Sequence, residues 1–508
     1  MAEAPIIVVG SGIAGMWTAL QAAPCPVMLL TAGRFGGQSA TEWAQGGIAA
    51  ALGSDDSPQC HARDTIAAGA GLVDEAVARQ LAHDVVDQVR ALEDLGVPFE
   101  HDRLGNWALS REAAHSRARI ARVGGDRAGA AIVDALTAAV GAADHIEVRE
   151  RCPVQAIVPD EHGACAGVSA LAGGREPVTL TGRATVLATG GSGGLYALTT
   201  NPGGNQGQAL AWAARLGAVV RDAEFVQFHP TAIDIDRNPA PLATEALRGE
   251  GAVLVNRKGR RFMPSIHPDA ELAPRDVVAR AVHRQVQSGE GAFLDVREAV
   301  GEGFPERFRA VYRACREGGI DPRREPIPVA PAAHYHMGGI AADLNGRTTV
   351  DRLLAVGEVA CTGAHGANRL ASNSLAEALV AGARAGRLLA GTAAAPGGSE
   401  RIPRPAPRLP DRALDELRRA MSTHAGVERD GSGLDRLIGV IESLESRFGR
   451  ADPLIAARFI ATGASKRTES RGAHYRLDHP EPGSRAESGR MTLAQARAFC
   501  SHGKNEET

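Results

Sequence analysis

The chain is poor in what would tie it to nucleic acid, to a metal or to a membrane. Only three of its 56 basic residues are lysine (Lys258, Lys466 and Lys504), and the formal charge is −3. Without a basic tract interleaved with aromatics, no polyanionic partner is expected. Seven cysteines are scattered with no Cys-x-x-Cys pair, which argues against a disulfide framework and against a zinc or iron–sulfur site; a reducing compartment fits. No apolar run reaches the roughly 18 residues of a spanning helix, and no leader-like segment precedes Gly10. A cytoplasmic protein that neither crosses a membrane nor binds nucleic acid is the expectation.

What is abundant is glycine, 60 of 508 residues, against an average near ~7%. It clusters in short motifs after apolar runs, as it does in nucleotide-binding α/β proteins. The length allows roughly three domains, and 44% apolar content fills their cores.

The strand-like run Ile6-Ile7-Val8-Val9 leads directly into Gly10-Ser11-Gly12-Ile13-Ala14-Gly15 and an apolar helix that stops at Pro24-Cys25-Pro26. In that position G-x-G-x-x-G reads as a dinucleotide fingerprint, with glycines admitting a pyrophosphate and the helix N-terminus holding its charge. The next strand, Val27–Leu30, should end in an acid for the ribose; it ends in Thr31-Ala32-Gly33. The small-residue segment from Ser39 to Ala50 is either a flexible loop or backbone wrapping a flat ring. Helical spacing follows from Ala62 to Leu95, and Ser110–Ser116 carries Arg111, Glu112 and His115 in the manner of a solvated face.

A second strand-to-glycine junction, Val186–Gly191 followed by Asn201–Gly207, fits the same nucleotide-binding sheet. From 234 to 330 the glycine motifs give way to charged helical stretches such as Pro274–Arg280, which predicts an inserted lid. The pattern resumes near Ala333 and ends near Leu389. Within it, Leu353–Val356 enters a turn holding Gly357, Gly363 and Gly366, then an apolar helix from Leu375. That turn is either a glycine-rich crossover with a surface arginine or an anion site, with Glu358 suited to a ribose or ribityl hydroxyl and Arg369 to a substrate carboxylate. Five prolines between 396 and 410 mark a linker, and helical spacing returns over 411–447 and 452–464.

Read in order, GSGIAG, AQGGIAA, REAAHS, EFVQFHPTA, TEALRGEGA, ELAPRDVVARA, PAAHYHMGG, GEVACTGAHGANRLASNSL and ESRGAHY resemble the aspartate-oxidising branch of the succinate dehydrogenase/fumarate reductase flavoproteins over essentially the whole chain. The resemblance implies an α/β FAD-binding Rossmann-like domain (1–233 and 333–395) interrupted by an α+β capping domain (234–332). A linker (396–410) and a C-terminal helical domain (411–508) would follow. It implies oxidation of L-aspartate to iminoaspartate with oxygen or fumarate as acceptor, and coupling to quinolinate synthase at the start of NAD biosynthesis.

Carried over by motif, His334 and Arg369 match the positions that hold one substrate carboxylate, and Thr244, Glu245 and His229 those around the other. Arg275 matches the proton-transfer arginine of the dehydrogenases and reductases, although a guanidinium pKa above about 12 favours an electrostatic role. Glu112 matches the acid that faces the substrate ammonium, so Arg275, Glu112, His229 and His334 form the expected catalytic set. For FAD, the resemblance places Gly10, Ser11, Gly12, Ile13, Ala14 and Gly15 on the pyrophosphate and Ala32 near the adenosine. Ala40, Thr41, Ala44, Gln45, Gly46 and Gly47 would lie along the ribityl chain and ring, with Glu358, Ser374 and Leu375 beside them. Ala40 stands where succinate dehydrogenases carry the flavin-linking histidine, so non-covalent FAD is expected. Ala32 replaces a common lysine and Gln208 an aspartate, which leaves the adenosine contacts open. The rival expectations are a soluble fumarate reductase or succinate dehydrogenase-type flavoprotein, and a non-catalytic FAD- or dicarboxylate-binding regulator.

Overall fold

The computed structural model describes residues 4–37, 39–392 and 403–499. Its central element is a five-stranded sheet in the order Leu353–Ala355, Ala184–Leu187, Ile6–Val9, Val27–Leu30, Ile146–Arg149, parallel throughout. Ile6–Val9 lies in the middle with all four side chains buried, which is why its sequence is continuously apolar instead of alternating. Helices Ile13–Gln21 and Asn373–Ala390 pack against each other. Gly386 permits the close approach, since a Cβ there would lie 2.6 Å from Thr18 O.

A second sheet, antiparallel, runs Val226–Ile233, Ile327–His336, Phe293–Asp295, Val253–Val255. Chain leaving the nucleotide half through the first of these strands returns through the second, so the two partners carry His229 and His334 side by side. The intervening segment has its own core around Leu254, Met263, Val282, Leu294 and Phe304. Helices Asp411–His424, Gly431–Phe448 and Asp452–Lys466 share a core with the nucleotide half through Leu417, Met421, Ile441 and Phe459 against Leu210 and Trp212. The short strand Arg490–Met491 pairs with Val220–Arg221. No helix among the described residues is long and apolar enough to cross a membrane.

Three expectations change. The helical spacing from 62 to 95 belongs to two helices, Pro58–Ala68 and Glu75–Asp94. Left-handed Ala70 and Gly71 separate them, and Asp74 caps the second by accepting from the Ala76 and Val77 amides. Likewise 411–447 breaks after His424, and Asp430 caps the next helix through Gly433 N. Of the solvated face at 110–116, Arg111 and Ser116 are exposed, but Glu112 and His115 are buried. Of the proline-rich linker, 403–410 has no regular structure, and 396–402 lies outside the described residues.

Candidate active site

The cofactor side is made of backbone. Gly10 has φ +112, and a Cβ on it would stand 2.2 Å from Ala188 O; one on Gly15 would stand 1.9 Å from Gly10 O. The turn is therefore pressed against the neighbouring strand, and helix Ile13–Gln21 starts directly above it. That helix has no cap from Gly12 and no acid in its first turn, so its positive end is unneutralised. Thr41 Oγ1 accepts from Ile13 N at 3.1 Å and thereby anchors the 41–47 segment to the fingerprint.

In that segment Gly47 lies so close to Ala121 that a Cβ would come within 2.0 Å of its carbonyl. Gln45 Oε1 is buried with no hydrogen-bond partner. Opposite, a Cβ on Gly191 would be 2.3 Å from Glu358 Oε1, the oxygen that accepts from His336 N at 3.0 Å. Burial pushes the Glu358 carboxyl up to about 7, against the pull of the His336 amide. Glycine-lined walls, a helix N-terminus with no acid in its first turn and an orphan acceptor fit a dinucleotide that carries a flat ring. Where a ribose acid was expected, Thr31 instead accepts from Ser11 Oγ at 3.0 Å, and Ala32 is exposed. Gln208 turns back on its own loop, its Oε1 accepting from Gln206 N and its Nε2 donating to Gly204 O.

The substrate side is made of side chains. His229 and His334 stand edge to face with centroids 5.0 Å apart. His334 Nδ1 pairs with Thr200 Oγ1 at 2.7 Å, while His229 Nε2 is buried without a partner. Burial first, then the nearby Arg275 charge, holds both imidazoles well below their ordinary range, so both are neutral.

Arg275, the first residue of helix Arg275–Gln287, donates through Nε to Glu245 Oε2 and through Nη1 to Gln227 Oε1 at 3.1 Å. Arg369 donates to the same Gln227 oxygen at 3.1 Å and to Ser374 Oγ at 3.2 Å; its Nε has no partner. Burial, then Arg275, lowers the Arg369 guanidinium to about 10. Two buried cations thus converge on one neutral oxygen, an arrangement that an incoming anion relieves. Glu245 lies between Arg275 and Arg248, the latter at 3.3 Å. Burial raises its carboxyl, but the two arginines outweigh that and leave it lowered. Thr244 caps the short Glu245–Gly249 helix.

Glu112 joins the two sides. It is 4% exposed and accepts from Ser372 Oγ at 2.7 Å; a Cβ on Gly46 would touch Glu112 Oε1 at 3.1 Å and Ser372 Oγ at 3.2 Å. Burial and Glu245 raise its carboxyl, opposed by Arg275 and the Ser372 hydroxyl. Its stretch of chain is held against the interior by His115, which pairs with Ala371 O at 2.9 Å, and by Arg119, which is bound by Asp56 and Asp64. Of the three charged or titratable residues in that window, Glu112 and His115 are therefore buried, while Arg111 is exposed as a solvated face would have it.

The sequence reading missed Gln227, Arg248 and Ser372. The first two lie inside the quoted EFVQFHPTA and TEALRGEGA motifs, and their positions there were the only signal. Ser372, at φ +59 ahead of helix Asn373–Ala390, lies inside GEVACTGAHGANRLASNSL, which was likewise its only signal.

Residues 5–375 match the FAD binding domain family and 450–503 the fumarate reductase flavoprotein C-terminal family. The chain is 54% identical to an L-aspartate oxidase of Caulobacter vibrioides, covering 94% of each. It is 47% identical to one of Agrobacterium fabrum, with 96% of this chain and 93% of that protein covered. Among solved structures, E. coli quinol fumarate reductase FrdA superposes with a TM-score of 0.87 at 30% identity, covering 95% of this chain and 92% of that one. The chain belongs to the L-aspartate oxidase family, built on the FAD-binding fold of the succinate dehydrogenase/fumarate reductase flavoproteins.

Proposed function

We propose that the protein uses FAD to oxidise L-aspartate to iminoaspartate. The observation that carries this reading is the pairing of two buried guanidiniums, Arg275 and Arg369, on Gln227 with a buried carboxylate, Glu112, that has its own hydroxyl donor. Cations suit the substrate's carboxylates and the acid suits its amine, the group that distinguishes aspartate from succinate.

Bound FAD supplies the two-electron acceptor. Gly10–Gly15 would hold its pyrophosphate and Thr41 and Ala44–Gly47 its ribityl chain and ring, with Glu358, Ser374 and Leu375 beside them. With Ala40 at the position discussed above, no histidine is present there to link it covalently. Arg369 and His334 clamp one carboxylate, and His229 and Thr244 the other, so that Cα is fixed relative to the cofactor. Both imidazoles act as neutral donors. Glu245 fixes Arg275 and balances its charge, which leaves Arg275 an electrostatic part in this reaction.

Glu112 selects the amine, and the substrate reacts as the neutral amine once the ammonium proton has passed to water. A hydride lost from Cα would carry two electrons to the bound cofactor, and the nitrogen proton released to water leaves iminoaspartate. The electrons pass to oxygen, giving hydrogen peroxide, or to fumarate, giving succinate. The likeness to a fumarate reductase favours the second acceptor as one the same clamps can hold. The product would feed quinolinate synthase in the cytoplasm, the first step of NAD biosynthesis. The proposed units are 1–233 with 333–395, the cap 234–332, the linker 396–410 and the helical unit 411–508. Anaerobic addition of L-aspartate should bleach the bound flavin; bleaching by succinate alone would overturn the reading.

A further inference from the structure

Against Arg369 lies a group of buried polar side chains, centred on Tyr335, that the proposed reaction does not use. The Arg369 guanidinium carbon sits 4.6 Å over the Tyr335 ring. The Tyr335 hydroxyl donates to Glu377 Oε2 at 3.1 Å. The same oxygen pairs with His365 Nε2 at 2.8 Å, and Thr362 donates to Glu377 Oε1. All of them are interior, Glu377 at 1% exposure and Tyr335 at 6%. A carboxylate this deep is held only because donors surround it.

We infer that Tyr335 is a positioning residue for the carboxylate clamp, with Glu377 acting through the phenol to make the ring a stronger support for Arg369. A hydroxyl that donates to a carboxylate pushes electron density into its ring, and an electron-rich face attracts a guanidinium. The arrangement meets a specific difficulty. Arg369 shares Gln227 with a second cation; Glu245 balances that one, while no carboxylate among the described residues forms an ion pair with Arg369 itself. A carboxylate placed directly on Arg369 would occupy the N–H groups that the substrate needs. Routed through the ring, the negative charge supports the guanidinium from its flat face and leaves Nε, which has no partner among the described residues, free for the ligand.

The inference rests on Arg369 being a carboxylate clamp. Succinate binding to the FAD-loaded enzyme, followed by its perturbation of the flavin absorbance, separates the two ideas. Tyr335→Leu should weaken succinate about 30-fold, the size of a desolvated cation–π contact, with flavin retained. KM for aspartate should rise in parallel while kcat stays within about threefold. Tyr335→Phe keeps the face and loses the hydroxyl, so it and Glu377→Gln should each cost about threefold to fivefold. The double variant should lose no more than Tyr335→Phe alone, because Glu377 acts through that hydroxyl. Undiminished succinate binding in Tyr335→Leu, or losses that multiply in the double variant, would overturn the inference. Should Tyr335→Leu not fold, the conservative pair decides. If Arg369→Leu still bound succinate, the clamp reading itself would fall; if it lost succinate while Tyr335→Leu did not, only this inference would.

Discussion

The cofactor cradle and the substrate pocket meet at Glu112, yet they are built from opposite materials. One is glycine and backbone, where specificity comes from how near the chain can approach: Gly10, Gly15, Gly47 and Gly191 all sit where a single carbon would collide. The other is a dry cluster of arginine, glutamate, histidine and amide, where specificity comes from charges that have no water to turn to. A backbone cradle tolerates changes of charge and fails with added volume. A charged pocket behaves the other way round.

That contrast gives an ordered set of tests. The largest effect should come from Arg369→Leu, which leaves Arg275 without its partner cation and a substrate carboxylate unpaired; dicarboxylate binding should fall at least about 100-fold. The protein should stay yellow, as followed by flavin absorbance after desalting. Joint loss of flavin would show that the two sides cannot be separated, a result made conceivable by the Arg369–Ser374 bond. Next, Glu112→Gln should reduce aspartate oxidation about 10- to 100-fold and fumarate reduction by no more than about threefold, measured in the same preparation. Equal losses would remove Glu112 from substrate selection.

Gly191→Ala tests the other material. Its methyl group would displace Glu358, 2.3 Å away, so FAD affinity should drop about tenfold with little change in succinate affinity for whatever enzyme remains loaded. The smallest effect concerns pH. The folded-state Glu358 carboxyl, pushed up to about 7, lies above its unfolded value near ~4.3. The folded protein therefore binds more protons in that interval, and stability falls as pH rises through it, with the loss complete above about 7. FAD-free protein should lose about 2–5 °C of Tm between pH 5 and pH 7.5, and Glu358→Gln should flatten that slope.

Much of the cradle was legible in the chain because its parts are local. A strand, three glycines and a helix within fifteen residues announce themselves, and Ile6–Gly15 and Leu353–Leu375 fold as their spacing predicts. The pocket was legible only through family motifs, since its contacts span the chain: Gln227 meets Arg369 across 142 positions and Ser372 meets Glu112 across 260. The misreading of 110–116 has the same cause. Charge density in a short window signals a wet face unless partners arrive from elsewhere, and here Ser372 does for Glu112 and the Ala371 carbonyl for His115.

Gln227 carries one further consequence. Its oxygen faces two guanidiniums, and its nitrogen donates to Asn368 Oδ1 and to the Arg369 carbonyl, both at 2.9 Å. Turning the amide over would set donor against donor and acceptor against acceptor in all four contacts, so it has one stable orientation. A glutamate at this place could also bridge two arginines, but it would bring a charge of its own and compete with the substrate. Being an amide, Gln227 cannot titrate, and the separation of the two cations becomes a fixed ruler that neither acid nor base resets.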